Sequence, residues 1–270
     1  MKRNIEEDIH TRTSIDKQFQ KMGESTEEKS EKDLHWRKVV SEHLNCIMTV
    51  LYSKNEADAI FREIEDTVEY NTGILAKVQM YGKWINIPRK QTAFGDEGLT
   101  YTFSGNTIPA KPWPPYLLKV KNRVEHALSD KWIFNFVLIN YYKDGNDHIG
   151  EHRDNEKDLD RMAPIASLSL GQTRDFVFRH KDARGGQKRR KDLKSVTVPL
   201  TNGCLFVMNP PTNDFWYHSL PVRKRASFPR INLTFRVMKQ KTEQKIPKHT
   251  LSFSQARVDK TNGQKLFNYP

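Results

Sequence analysis

Between residues 133 and 237 the chain is cut into apolar runs too short for helices: IFNFVLINYY (133–142), PIASLSLG (164–171), DFVFRH (175–180), SVTVPL (195–200), CLFVMN (204–209) and RINLTFRV (230–237). Turn formers such as DGND and the RGGQ after Ala183 separate them. Runs of this length and composition are strands. Two helical stretches precede them. NEADAIFREIEDTVEY (55–70) sets Ile60, Ile64 and Val68 at helical spacing behind Asn55 as N-cap, and PPYLLKVKNRVEHAL (114–128) is a helix opened by prolines. Helices followed by many short strands predict a mostly β chain with flanking helices (α+β), arranged as a sandwich or jelly roll.

Composition bounds the ends and the partners. Hydrophobic residues make up 36% of the 270, low for a chain packed along its whole length. Residues 1–35, charged and poor in aromatic and branched residues, read as a disordered tail, and the lysine-rich 239–270 as a second, flexible one. The domain is then 36–238. Its 31 Lys/Arg against 22 Asp/Glu give +9, while the first segment carries −2 and the last +5. A basic body suits a polyanion, although a merely soluble basic protein has the same balance. Cys46 and Cys204 lie far apart without metal-ligand spacing, which predicts a reducing, intracellular setting. The start MKRNIEEDIH has no apolar signal region and no run is long enough to span a membrane, so no membrane partner is expected.

The stretch HIGEHRDNE (148–156) carries the chemistry and fits three incompatible sites. As H-x-x-E-H it is an inverted zinc-peptidase motif, but that needs one helix, and Gly150 and the preceding DGND oppose a helix. As HRD it opens a kinase catalytic loop, but Leu159 stands where an asparagine must hold metal. As H-x-D it offers two ligands from one extended segment, since residues i and i+2 point the same way. A third ligand must come from elsewhere. His218, in FWYHSLP, stands out, although a histidine there could equally cap a strand. Two histidines and one carboxylate leave coordination positions open, as in non-haem iron(II) oxygenases.

The last strand points the same way. In RINLTFRV, Arg230, Asn232, Thr234 and Arg236 share one face, with Ile231, Leu233 and Phe235 on the other. A polar face with two arginines either meets solvent on an edge strand or lines a polar pocket that would grip a dicarboxylate. Asn140 and Tyr142 share a face in the same manner.

Taken in order, GKWINIPRKQTAFGD, LTYTFSG, FNFVLINYYKDGNDHIGEHRDNE, PIASLSLG, RDFVFRHKDARG, WYHSLPVRK and RINLTFR resemble the AlkB-type iron(II)- and 2-oxoglutarate-dependent dioxygenases, over residues 36–238. They are most similar to the branch that repairs alkylated duplex DNA. The resemblance implies a double-stranded β-helix (jelly-roll) core. It implies Fe(2+) on His152, Asp154 and His218, and 2-oxoglutarate and O2 as cosubstrates. Arg230 would pair with the distal carboxylate, with Asn140, Tyr142, Thr234 and Arg236 completing the pocket. The implied reaction is oxidative demethylation of 1-methyladenine and 3-methylcytosine in double-stranded DNA, with release of formaldehyde, succinate and CO2. Alternatives are the same chemistry on single-stranded DNA or RNA, and a catalytically silent DNA-binding module.

On the substrate side the resemblance sets Tyr101 and Phe103 beside a flipped base, with the His152 ring opposite. The hairpin QMYGKW, with Tyr81, Gly82 and Lys83, becomes the finger that enters the duplex. Arg89, Lys90 and Arg184 become phosphate contacts. Three positions depart from the family pattern. Tyr81 replaces phenylalanine, Asn155 replaces an acidic residue, and Gly186 replaces a lysine, with Lys188, Arg189, Arg190 and Lys191 close by to compensate. A monomer in the nucleus is expected, with the tails open to an unidentified replication or repair recruitment partner.

Overall fold

Alternation along short strands sorts the chain into layers. The computed structural model describes residues 34–80, 82–103, 106–154, 156–186 and 189–239. Seven strands form one antiparallel sheet: Arg37–Ser41 (β1), Leu44–Val50 (β2), Lys90–Gly95 (β5), Phe136–Tyr142 (β8), Ile165–Gly171 (β10), Cys204–Met208 (β13) and Arg230–Arg236 (β15). Their spatial order is β1-β2-β13-β10-β15-β8-β5. Four more form a second sheet in the order β12-β11-β14-β9: Ile149–His152 (β9), Arg174–His180 (β11), Val196–Leu200 (β12) and Trp216–Leu220 (β14). Two hairpins stand beside them, Lys77–Met80 with Lys83–Asn86 (β3, β4) and Thr100–Phe103 with Asn106–Pro109 (β6, β7). The two antiparallel sheets make the double-stranded β-helix.

Because side chains alternate across a strand, the large sheet has two different faces. Val137, Ile139, Leu168, Leu205, Ile231, Leu233 and Phe235 pack against Ile64 of the helix Lys54–Thr67 (α1) and Leu117 and Val124 of the helix Pro115–Ala127 (α2). On the opposite face, Phe136, Leu138, Ile165 and Phe206 meet Phe178, Val198, Leu200 and Trp216 of the small sheet. Fully burying one such side chain contributes about 1.5–3 kcal/mol, so both faces are strongly fixed. β15 runs between β10 and β8, hydrogen-bonded on both sides. Its polar face is therefore interior, and the edge-strand alternative is excluded.

Two details differ from the sequence expectation. The N-cap of α1 is Ser53, not Asn55. Ser53 Oγ accepts from the Glu56 N–H while Glu56 Oε2 accepts from the Ser53 N–H, a reciprocal box. The β1–β2 hairpin carries no expected turn signal because its tight turn uses His43 at φ 57°, a conformation usually given to Gly or Asn. Of the two expected tails, only Leu34, His35 and Lys239 are among the described residues, and Leu34 already packs against the helix-side core.

Candidate active site

A cavity of about 620 Å³ opens between the sheets and reaches from His152 to Arg230. Its metal-competent end is set by strand register. His218 of β14 stands directly opposite His152 of β9, so the rings share a face, with centroids 4.3 Å apart. His218 thus lies within a strand rather than capping one. The strand β9 stops at His152, and Asp154 follows two residues later, 5% exposed. His152 Nδ1 lies 2.9 Å from the Gly150 carbonyl. A carbonyl only accepts, so Nδ1 carries the hydrogen and Nε2 keeps its lone pair. Asp154 Oδ1 lies 3.7 Å from His152 Nε2 and 3.6 Å from His218 Nε2, and one ligand atom from each residue falls within 4.8 Å of the others.

The carboxylate is divided between two tasks. Oδ2 accepts from Arg236 Nε at 3.0 Å and Nη2 at 2.7 Å. Oδ1 is buried and receives no hydrogen bond. Burial alone would raise the Asp154 pKa, but the Arg236 guanidinium and the neighbouring histidines outweigh it and hold the group ionised. Burial, then the proximity of His218, lowers the His152 pKa below the usual imidazole range. Two imidazoles and an anionic oxygen aimed at one point form a donor set that suits a divalent first-row metal. The unsatisfied Oδ1 is the observation that fits one.

The floor of the cavity is built for an anion. Arg230 is 2% exposed and donates to Ser169 Oγ at 2.8 Å and Asn232 Oδ1 at 2.7 Å, with its guanidinium 5.3 Å from the Tyr142 ring. Burial lowers its pKa to about 10, which leaves it cationic at neutral pH. Among the described residues no carboxylate pairs with it, and its Nε has no partner. A buried cation without a counterion is costly unless a ligand supplies one. Asn232 donates to Thr234 Oγ1, and Asn140 Oδ1 accepts from Arg89 Nε. The two arginines of β15 are therefore not equivalent: Arg236 is committed to Asp154, and Arg230 has no carboxylate partner among the described residues.

Of the expected substrate residues, Arg89 and Tyr101 line the cavity. Tyr101 lines the cavity, stacked on Phe136 at 5.5 Å with the Arg236 guanidinium 5.2 Å from its ring. Phe103 ends the same strand. In the β3–β4 hairpin Gly82 takes φ 75° at the tip, Lys83 is exposed, and Val78 lines the cavity. Tyr81 and Asn155 lie outside the described residues. Arg89 forms part of the cavity wall, and Lys90 sits 5.6 Å from the Tyr141 ring. Arg184 pairs with Glu151 at 3.0 Å and lies 3.8 Å from the Tyr217 ring. Arg190 is engaged by Glu42 and Asp192 rather than held free for phosphate.

Sequence reasoning missed Ser169 and Glu156. Glu156 lines the cavity with a buried, unpartnered Oε2, and burial, then the Asp154 charge, raises its pKa. The acidic group that Asn155 lacks thus stands one residue further on. Arg174, fully buried, donates to the carbonyls of Asp144, Asp147 and Pro221 and pins the loop before β9.

Comparison with known proteins agrees with this geometry. The chain is 58% identical over 201 residues to DNA oxidative demethylase ALKBH2 of Mus musculus, covering 74% of this chain and 83% of that protein. It is 57% identical over 201 residues to DNA oxidative demethylase ALKBH2 of Homo sapiens, covering 74% and 76%. Alpha-ketoglutarate-dependent dioxygenase alkB homolog 3 of Bos taurus is 34% identical over 196 residues, covering 72% and 65%. A family model described as 2OG-Fe(II) oxygenase superfamily matches residues 43–236, a span that takes in β9, β14 and all of β15. With an unsatisfied carboxylate oxygen between two histidines, a buried arginine with no carboxylate partner among the described residues, and that match across most of its length, the chain belongs to the 2OG-Fe(II) oxygenase superfamily.

Proposed function

We propose that this protein is an iron(II)- and 2-oxoglutarate-dependent DNA demethylase that restores 1-methyladenine and 3-methylcytosine in double-stranded DNA, releasing formaldehyde, succinate and CO2. The observation that carries the reading is the pairing, in one cavity, of a carboxylate oxygen without a hydrogen bond between two imidazoles with a buried arginine that has no carboxylate partner among the described residues. The relatives named as DNA oxidative demethylases supply the substrate class.

His152, Asp154 and His218 would hold iron(II), and Arg230 would pair with a carboxylate of 2-oxoglutarate. Iron and 2-oxoglutarate with O2 would supply the oxidising power for hydroxylating an N-methyl carbon, whose product releases formaldehyde. The chain's own side chains do the rest. Arg236 keeps the Asp154 carboxylate ionised and turned so that Oδ1 faces the histidines. Tyr101 lines the cavity wall, and Glu156 offers an acceptor to a base that carries positive charge. Methylation on the pairing edge weakens the pair, so extruding such a base costs less than extruding an intact one.

Duplex preference is supported by the exposed β3–β4 hairpin beside the cavity, whose Trp84 and Ile85 are 44% and 46% exposed. The deciding experiment places 1-methyladenine in duplex DNA, in the matching single strand and in RNA. Faster repair in the duplex is expected. Faster repair of the single strand or of RNA would assign the same chemistry to a different substrate.

A further inference from the structure

We infer that Asn213 is the positioning residue for Asp154, a role that rests on Asp154 being a metal ligand. The strand β9 ends at His152, so no ladder partner is available to the Asp154 backbone, although Asp154 is almost fully buried. Buried N–H and C=O groups need partners. Both come from a single carboxamide: the Asp154 N–H donates to Asn213 Oδ1 at 3.0 Å, and Asn213 Nδ2 donates to the Asp154 carbonyl. A carboxamide carries one acceptor and one donor side, as a peptide group does, so Asn213 acts as a one-residue strand partner. Its orientation is fixed by those two bonds, because a peptide N–H can only donate and a carbonyl only accept.

Asn213 is itself held rigidly, in the short helix Thr212–Phe215 (α3). Its neighbour Thr212 is fully buried and makes the same kind of reciprocal pair with Asn45 of β2, at 2.8 and 3.2 Å. Arg153 adds a bond to the Asp214 carbonyl at 2.6 Å, from the residue next to Asp154. Backbone and side chain of Asp154 are thus clamped separately, by Asn213 and by Arg236, and only Oδ1 remains free. Without Asn213 the Asp154 backbone would lose both of its hydrogen bonds, leaving Arg236 alone to hold the carboxylate against the two imidazoles. Residues that orient a metal ligand typically contribute 10–100-fold in metal affinity.

The test is Mn(II) affinity of the full chain without DNA or cosubstrate, read from the electron paramagnetic resonance signal of free Mn(II), with melting temperatures taken in parallel. Asn213→Ala should weaken Mn(II) binding about 10–100-fold. Asn213→Asp, which keeps the acceptor and loses the donor, should also bind more weakly than wild type, and it carries the comparison if the alanine variant does not fold. Ile64→Val, a mild lesion in the helix-side core, should lower the melting temperature while Mn(II) affinity stays near wild type. Wild-type Mn(II) affinity in the Asn213 variant, or an equal loss in Ile64→Val, would overturn the inference. Asp154→Ala separates the underlying reading. If it binds Mn(II) normally, Asp154 is not a ligand. If it loses Mn(II) while Asn213→Ala does not, only the role of Asn213 fails.

Discussion

At the scale of single residues, the two arginines of β15 illustrate how environment divides chemically identical groups. Arg236 and Asp154 are 4% and 5% exposed and bonded at 2.7 Å. Removing one partner of such a pair leaves a buried, uncompensated charge, which costs about 3–5 kcal/mol. Arg236→Met should therefore lower the unfolding free energy by that amount, read as a lower denaturant midpoint with the slope of the transition unchanged. Among the described residues Arg230 has no carboxylate to abandon. Arg230→Leu should cost little stability and instead raise the 2-oxoglutarate concentration needed for half-maximal succinate release, by the equivalent of about 2–5 kcal/mol. A wild-type cosubstrate requirement would move the role elsewhere. The polar face shared by the two was legible in RINLTFRV, because strand periodicity alone puts alternate residues together. Their division was not, because it depends on Asp154, 82 positions away in sequence.

At the scale of elements, the site depends on loops whose signals are weak. Gly145 passes so close to the 223–226 turn that a Cβ there would fall 1.8 Å from the Arg223 carbonyl oxygen. The same backbone is bonded to that turn, Gly145 N–H to the Ala226 carbonyl and Arg223 N–H to the Gly145 carbonyl. Gly145→Ala must push the two loops apart. It should destabilise by about 1–3 kcal/mol or more and slow turnover, since β9 begins four residues later. A melting curve and a rate at saturating cosubstrate check both. The DGND turn was legible from composition, but its contact with a segment some 80 residues later was not. β9, of four residues including Gly150, and β14, whose WYHSL does not alternate, did not emerge from periodicity, and only the H-x-D spacing hinted at the end of β9. For the hairpin, Tyr81→Ala should slow repair in duplex DNA far more than in the single strand, by up to about 1–3 kcal/mol of stacking, while Tyr81→Phe should preserve both rates. Equal losses on both substrates would make Tyr81 a general binding or structural residue.

At the scale of the whole molecule, one division of labour runs through the double-stranded β-helix. The helix-facing side of the large sheet is apolar from Val137 to Phe235, while the inner side gives up apolar packing around His218, Asp154, Arg236 and Arg230 to form the cavity. The order of helices and strands announced this layering, because alternation and run length are local properties. The antiparallel order β1-β2-β13-β10-β15-β8-β5 was not legible, since register between distant strands is settled by packing of both faces at once. The central claim is that this cavity removes methyl groups oxidatively from DNA bases. Its most direct test is base analysis of duplex DNA carrying 1-methyladenine after incubation with the protein, iron(II), 2-oxoglutarate and O2. The account predicts that adenine appears, that each lesion repaired is matched by one formaldehyde and one succinate, and that Asp154→Ala yields neither. Methylated base left intact by a folded, metal-binding wild-type protein, or equal repair by Asp154→Ala, would contradict it.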